Sequence, residues 1–442
     1  MNPRIIFTCL LAVVIFANLC VKATAGMIRD TELEAGLQNL MAPLVMAAGY
    51  EANSIAVRVI IDPSYNAFVA GENIIYVHSG LLLDAHSPEE IIGVLAHELG
   101  HIKAGHVPRR DAAIADANSA NALAALAALA VAAGGGGDAA LGVMMGGNDQ
   151  VRRKLLQTIR YDEAVADELG LSLLDAAKIS AEGLRDMMRR LAAQRALPET
   201  RQSRYYTTHP GAAERLGVYQ DHVYQRAGQS APLPEAMTNL SERLITKLRA
   251  YVEPPQQILA RYQNDGSVKS GYAKAIARYR RGELDLALAD IDTLVRLAPE
   301  DPFFHEFRGD VLMSMAQPQN AAAAYEAAIA QRPNSPQILL NLGRALIASG
   351  QPTQLDKAIA ALQKASQGEP NWAFAHRQLA IAYGRAGKVA DADITLAEEA
   401  LILGDPQQAI RMARRVLSDD TVRDELRNRA NDIVFRYGAA TN

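Results

Sequence analysis

The chain has 442 residues, of which 49% are hydrophobic and 21% charged, and its formal net charge is −4 at pH 7. This length is enough for two or three domains with a substantial core. A mildly acidic chain gives no reason to expect nucleic acid as a partner. The single tryptophan and the 5% aromatic content give no indication of a small-molecule ligand.

Residues 1–25 have the pattern of a secretory signal peptide. Arg4 provides a positive start, residues 5–21 are largely apolar, and residues 23–25 (Ala-Thr-Ala) form a cleavage site of the Ala-x-Ala type. The apolar run is short and is interrupted by polar residues, which favours a cleaved signal over a membrane-spanning helix. We therefore expect a protein exported to the periplasm, with an uncleaved tether to the inner membrane as the alternative.

Both cysteines of the chain, Cys9 and Cys20, fall within this signal segment. The residues before Cys20 fit a lipoprotein signal poorly, so lipidation is the minor alternative. The mature protein is then predicted to contain no thiol and no disulfide, and a bound metal cannot have cysteine ligands. Loss of Arg4 and Lys22 with the signal takes the formal charge from −4 to about −6.

The segments after the signal predict an α+β fold that is mainly helical with a small sheet. Residues 30–50 have the pattern of an amphipathic helix, and residues 54–83 that of strands. The strand prediction is based on alternating apolar residues at Ile55, Val57, Val59 and Ile61.

A capped helix is predicted over residues 87–102. Ser87 is a good N-cap, Pro88 suits the first helical position, and Glu90 completes a Ser-x-x-Glu capping box. Apolar residues then recur at helical spacing, at Ile91, Leu95, Leu99 and Ile102. This spacing predicts one buried stripe along the helix.

The same helix contains a His-Glu-x-x-His motif at residues 97–101. His97 and His101 are four residues apart and therefore stand one turn above the other on one face. Two imidazole nitrogens placed in this way can hold one metal ion. Glu98 lies beside them, where it could take a proton from an attacking water.

A catalytic zinc usually has three protein ligands, so a third ligand has to be found. A histidine at the metzincin spacing is absent, since Ala104 and Val107 occupy the positions that require glycine and histidine. The available pair, Gly105 and His106, is misplaced. His106 is expected on another side of the helix, with a structural role.

A second helix, predicted around residues 161–170, offers a better third ligand. Glu163 and Asp167 are four residues apart and share one face. Glu163 could bind the metal, and Asp167 could hydrogen-bond a ligand histidine. Taken alone, an acidic helix face is more simply explained as a solvated one. Its occurrence together with the first motif makes the combination specific.

The pair of motifs, His-Glu-x-x-His and Glu-x-x-Ala-Asp, resembles the gluzincin metalloproteases related to HtpX, Oma and BepA. The resemblance implies one zinc ion per chain, held by His97, His101 and Glu163. It also implies that Glu98 is the general base and an electrostatic stabiliser. Cofactors other than zinc are not expected.

Two further stretches are similar to this family. Residues 66–82 resemble its strands beside the active-site helix, whose edge strand can hold an extended peptide. Residues 208–210 (Thr-His-Pro), followed by Arg215, resemble its His-Pro segment. By this resemblance we expect His209 near the zinc, where it either stabilises the oxyanion or caps the metal in a resting state. Arg215 is expected to anchor the segment.

Residues 111–148 join the two predicted ligand helices and are rich in alanine and glycine. The segment offers almost no large side chains for a firm core. It is interpreted as a weakly packed helical hairpin or a mobile loop, with a lid or membrane-touching segment near the zinc as the alternative. Its uninterrupted apolar stretch is too short to span a bilayer.

The C-terminal part shows an internal repeat of 34 residues, the period of tetratricopeptide repeats. We predict a protease domain at residues 26–250, a linker at 251–270, about four repeats at 271–404 and capping helices at 405–442. Small residues recur at the two positions where paired helices meet: Ala275, Gly309, Gly343 and Ala380 at one, and Ala287, Ala321, Ala358 and Ala392 at the other. The third repeat has a short insertion around residues 351–354.

The resulting expectation is a periplasmic zinc endopeptidase whose repeats recruit protein substrates or partners. The resemblance implies quality control of outer-membrane proteins and contact with their assembly machinery, with possible peripheral contact to the membrane. The alternative is a chaperone or assembly factor that carries a latent or regulated protease site.

Overall fold

The structure is a computed structural model that describes residues 26–52, 54–71, 73–106, 149–198 and 201–438. The predicted signal peptide and the Ala/Gly-rich segment at 111–148 lie outside these residues. The chain divides into two compact units. The first comprises Met1–Arg29 and Gly36–Ser241, and the second comprises Asp30–Ala35 and Glu242–Asn442.

The described elements of the N-terminal half are four strands and eight helices. The strands are β1 (Gly26–Ile28), β2 (Ala56–Ile61), β3 (Ala67–Ala70) and β4 (Ile74–His78). The helices are α1 (Thr31–Ala47), α2 (Ser79–Asp84), α3 (Pro88–Lys103), α4 (Asp149–Ala176), α5 (Glu182–Ala193), α6 (Arg204–Thr208), α7 (Ala212–Gln225) and α8 (Glu235–Val252).

The strands form one mixed sheet in the order β1-β2-β4-β3. The central pair, β2 and β4, is parallel, while β1 and β3 are antiparallel to their neighbours. Val59 lies opposite Val77, and both side chains are buried. Helix α3 packs beside β3 and β4, which places the His-Glu-x-x-His helix next to the free edge of the sheet.

The strand prediction was wrong in one place. Residues 79–83, predicted as strand, lie in the short helix α2, which follows β4 directly. Of the four alternating residues, Ile55, Val57 and Val59 are fully buried, while Ile61, the last residue of β2, is 48% exposed.

Two glycines allow the backbones of α3 and α4 to approach closely. A Cβ atom added to Gly100 would lie 2.5 Å from the carbonyl oxygen of Ala166. A Cβ atom on Gly170 would lie 3.2 Å from the backbone of Ala96 and His97. Since Ala166 lies between Glu163 and Asp167, this contact determines how near the acidic face of α4 comes to α3.

Gly100→Ala is therefore expected to lower the free energy of unfolding by about 1–3 kcal/mol, the usual cost of overpacking. The matched control is Gly217→Ala in α7, where an added Cβ meets no atom within 4 Å. That change should stabilise the protein by about 1 kcal/mol through helix propensity. Urea unfolding of both variants checks the pair, and effects of the same sign would contradict this account of the helix contact.

The C-terminal half consists of helices that follow one another in pairs, after the short helix α9 (Pro255–Arg261). They are α10 (Val268–Arg280), α11 (Leu284–Leu297), α12 (Pro302–Ser314), α13 (Pro318–Gln331), α14 (Pro336–Ala348), α15 (Leu355–Gly368), α16 (Ala373–Arg385), α17 (Val389–Ile402), α18 (Pro406–Leu417) and α19 (Asp424–Gly438). The insertion in the third repeat contains a single 3₁₀ turn, Pro352–Gln354.

The small residues of the repeats lie where the sequence pattern places them. All eight are buried, and a Cβ atom added to Gly309 would meet the ring of Tyr325 at 2.5 Å. One added to Gly343 would meet Leu362 at 2.4 Å. Each glycine thus lets the first helix of a pair contact a large side chain of the second. The predicted fold class, mainly helical with a small sheet, is confirmed.

No helix within the described part of the chain is long and apolar enough to cross a membrane.

Candidate metal centre

Helix α3 carries both histidines of the motif, and its N-cap and first residue are those that the sequence predicts, while the Glu90 side chain bonds one residue before the N-cap of the predicted capping box. Ser87 is the N-cap and accepts a hydrogen bond from the Glu90 backbone N–H, and Pro88 is the first helical residue. The Glu90 carboxylate is buried, accepts from the His86 backbone N–H at 2.6 Å and pairs with Arg190 of α5. The start of α3 is thus fixed three turns before the histidines.

Four side chains converge in the first unit. The Nε2 atoms of His97 and His101 are 3.2 Å apart. The two carboxylate oxygens of Glu163 in α4 face different nitrogens, Oε2 lying 3.4 Å from His97 Nε2 and Oε1 3.4 Å from His101 Nε2. His209, which caps the C-terminal end of α6, places its Nδ1 atom 3.2 Å from His97 Nε2 and 3.0 Å from Glu163 Oε2. All four residues are buried, and their candidate ligand atoms lie within 4.8 Å of one another.

These separations fit a tetrahedral zinc ion. With zinc–nitrogen bonds of about 2.0–2.1 Å, two ligand atoms of a tetrahedron lie about 3.3 Å apart. The Nε2 atoms of His97 and His101 are 3.2 Å apart, and each lies 3.4 Å from one of the two Glu163 carboxylate oxygens. Two neutral imidazoles and a carboxylate are also ligands that zinc commonly takes in catalytic sites. His209 Nδ1 lies near His97 and Glu163 and is a further candidate ligand atom.

Glu98 lies beside the four converging residues and is completely buried. Its Oε1 atom is 3.4 Å from the Tyr205 hydroxyl, which donates to it, and 3.5 Å from His209 Nε2. Its Oε2 atom has no hydrogen-bond partner among the described residues. A buried carboxylate oxygen without a partner is costly, so this atom fits a water or a substrate group in the adjacent space.

Asp167 and Arg215 hold His97 and Glu163 in place through polar contacts. Asp167 Oδ1 contacts His97 Nδ1 at 2.9 Å, on the side of the ring away from Glu163. Arg215 of α7 donates from Nε to Asp167 Oδ2 at 2.6 Å, and from a terminal nitrogen to Glu163 Oε2 at 2.7 Å. Tyr219, one turn further along α7, donates its hydroxyl hydrogen to Asp167. The buried carboxylates of α4 are thus held by an arginine fork and a phenol.

The electrostatic surroundings keep the carboxyl groups of Glu163 and Asp167 charged. Burial raises the pKa of Glu163, but the neighbouring His209 and Arg215 outweigh it and hold this pKa well below its ordinary value. Burial likewise raises the pKa of Asp167, but the charge of Arg215 and the hydrogen bond to His97 outweigh this effect. The pKa of Asp167 therefore falls to about 2. Burial lowers the pKa of His97, but hydrogen bonds to Asp167 and Glu163 raise it to about 9. Because an imidazole binds a metal ion only in its neutral form, a bound ion would favour the neutral form of His97.

One interpretation of the sequence was wrong. His106 was expected on another side of the helix from His101, but α3 ends at Lys103 and Gly105 has a φ of +65°. This left-handed turn reverses the chain, so the His106 ring returns to His101, and their Nδ1 atoms are 2.8 Å apart. Glycine adopts such a φ without the steric cost that other residues incur.

Sequence reasoning did not find two tyrosines of the centre. Tyr205 lies four residues before His209 and stacks on its ring with centroids 4.2 Å apart. Tyr219 lies four residues after Arg215. In both cases the usable signal is the i, i+4 spacing from a residue already selected, since such residues share a helix face. Asp167, Arg215 and His209, by contrast, are brought together with the two motifs.

Comparison with known families identifies the class of each part. Residues 29–222 match Peptidase family M48, and residues 312–354 match a tetratricopeptide repeat. The protein therefore contains an M48 peptidase domain followed by tetratricopeptide repeats. This confirms the resemblance to these peptidases that the two motifs indicated.

Individual relatives include named proteases. The chain is 27% identical over 295 residues to the putative beta-barrel assembly-enhancing protease of Vibrio cholerae serotype O1, covering 64% of this chain and 59% of that protein. It is 31% identical over 166 residues to the metalloprotease LoiP of Escherichia coli K12, covering 38% of this chain and 62% of that protein. The chain thus spans about three fifths of the length of these curated relatives.

Among solved structures, the chain is similar to MamA (residue 41 to the end) from Desulfovibrio magneticus RS-1, at 22% identity. The match covers 37% of this chain and 93% of that one, with a TM-score of 0.34.

Proposed function

We propose that the protein is a zinc-dependent endopeptidase that binds one zinc ion per chain through His97, His101 and Glu163. The observation that carries this proposal is the convergence of these three buried side chains, with 3.2 Å between the two imidazole nitrogens and 3.4 Å from each nitrogen to a Glu163 oxygen. The M48 match to residues 29–222 supports it independently.

Glu98 is proposed as the general base. A zinc ion, when bound, polarises the scissile carbonyl and increases the acidity of the attacking water. Glu98 Oε1 is held near Tyr205 and His209, which leaves Oε2 as the atom that takes the proton from the water. The same carboxyl group then passes this proton to the leaving amine.

The substrate is proposed to be an extended polypeptide. Strand β3 pairs only with β4 among the described strands, so its other edge offers backbone hydrogen-bonding groups beside α3. An extended peptide can add to such an edge as a further strand. The tetratricopeptide repeats are proposed to recruit protein substrates or partners.

The names of the relatives suggest a cellular role. A beta-barrel assembly-enhancing protease is among them, with a match that covers 64% of this chain. We therefore propose that the protein acts in the periplasm on misassembled outer-membrane proteins, in contact with their assembly machinery. The pattern of a signal peptide at residues 1–25 supports the same location.

A latent protease site is the second candidate function, because of where His209 lies. Its Nδ1 atom lies 3.2 Å from His97 Nε2 and 3.0 Å from Glu163 Oε2, close enough to take the coordination position that the attacking water requires. Of the two roles considered for His209, this geometry favours a cap on the metal in a resting state and not a donor to the oxyanion. A protein in this state would act through its repeats as a chaperone or assembly factor until His209 is displaced.

His209→Ala is expected to raise basal casein degradation, because it opens the fourth position to water. The opposite role predicts a loss of about 10²–10³-fold, the usual cost of removing an oxyanion donor. The matched control is His222→Ala in α7. This histidine pairs with Asp175 outside the cluster, so its removal should leave the rate of casein degradation unchanged.

The proposed function is tested by metal analysis and casein degradation on the full mature chain. One zinc ion per chain, activity lost on chelation and restored by zinc is the expected result. A chain without zinc would overturn the proposal. A chain that binds zinc but shows no proteolysis, even as the His209→Ala variant, would support the proposed metal site and overturn the proposed peptidase activity.

A further inference from the structure

The two histidines of the motif are supported by different groups. His97 Nδ1 faces a carboxylate directly, that of Asp167 at 2.9 Å. His101 Nδ1 faces the Nδ1 atom of another histidine, His106, at 2.8 Å. Both of these imidazoles are more than nine-tenths buried. The contact between His101 and His106 is not explained by the roles proposed for the metal ligands, Glu98 or His209.

The positions of the ring hydrogens determine which of the two histidines donates in this contact. His101 Nε2 faces His97 and Glu163, so a metal ion can bind there only if this nitrogen carries a lone pair. The hydrogen of His101 is then on Nδ1 and is donated to His106 Nδ1. His106 must in turn carry its own hydrogen on Nε2. That atom lies 3.4 Å from Asp162 Oδ1, and the negative charge of this carboxylate favours the tautomer with its hydrogen on Nε2.

We infer that His106 and Asp162 are positioning residues that fix the tautomer and the ring orientation of His101 for metal binding. This inference rests on the proposed function. Asp162 selects the His106 tautomer, and His106 then accepts the hydrogen of His101. Such outer partners commonly orient the ligands of a metal site.

The local structure accounts for this arrangement. Successive residues of α4 serve the two ends of the relay, since Asp162 reaches His106 while Glu163 reaches the Nε2 side of His101. The left-handed turn at Gly105 returns His106 to the ring of His101. Adjacent residues of α4, and the end of α3 with the turn that follows it, therefore each supply a proposed ligand together with its support.

The test measures the zinc dissociation constant of the full chain by competition with a chelator. His106→Phe retains a buried ring but cannot accept a hydrogen, and it should weaken zinc binding by about 10–100-fold. His106→Gln offers an amide oxygen to His101 Nδ1 and should recover much of the loss. His222→Phe, at a histidine outside the cluster, should leave the constant unchanged.

A double-mutant cycle separates positioning from general stability. Asp162→Asn should weaken zinc binding in the wild-type background and have no further effect in the His106→Phe background, because Asp162 acts through His106. Equal effects in the two backgrounds, or a His106→Phe variant that binds zinc as tightly as the wild type, would overturn the inference. A wild-type chain that binds no zinc would instead refute the proposed function.

Discussion

Glu98→Gln is expected to lower kcat/KM for peptide hydrolysis by about 10²–10⁴-fold while one zinc ion per chain remains bound. The change replaces one carboxylate oxygen by an amide group of the same shape, so packing around this fully buried side chain is preserved. The amide cannot take a proton from water. The proposed ligands His97, His101 and Glu163 are untouched, which is why metal content should not change.

Metal analysis and casein degradation on the same preparations check this result. Glu168→Gln, at an exposed position of α4 one turn beyond Ala164, is the matched control and should retain wild-type activity. Undiminished hydrolysis by the Glu98→Gln variant would show that another group takes the proton.

Arg215→Ala is expected to destabilise the first unit by about 3–5 kcal/mol, the cost of leaving buried charges without their partner. The guanidinium pairs with both Asp167 and Glu163, and all three side chains are buried. Burial alone opposes the ionised form of either carboxyl group, and Arg215 is a main reason that each has a lowered pKa.

Urea unfolding of the metal-free chain measures this effect. Arg226→Ala removes an arginine from the end of the same helix, where it is half exposed and pairs with Asp175, and it should cost at most about 1 kcal/mol. Arg215→Lys retains the charge without the fork and should lie between the two. Equal losses for Arg215→Ala and Arg226→Ala would contradict the account given for Arg215.

The sequence was most informative where helix geometry alone decides. The spacing of His97 and His101, and of Glu163 and Asp167, predicts two faces, and each pair lies on one face of its helix. The 34-residue period predicts the repeats, and the helices of the C-terminal half follow it. Periodicity is local, so it needs no knowledge of what packs against what.

Tertiary contacts were less accessible. The approach of α3 and α4 depends on Gly100 and Gly170, which in the sequence are only two glycines within helices. The position of His106 depends on a backbone φ at Gly105, which no hydrophobic pattern reports. Tyr205 meets Glu98 only because α6 is placed beside α3. Such contacts join residues that are distant in the chain, and spacing rules do not reach that far.

The distribution of the metal-centre ligands along the chain has a consequence for folding. His101 and Glu163 are about 60 residues apart in a chain whose two cysteines both precede residue 26. A zinc ion bound to both helices closes this loop much as a disulfide would, and a cross-link over that span removes about 4 kcal/mol of chain entropy from the unfolded state. Zinc bound at the proposed site would then stabilise the folded domain as well as support its activity.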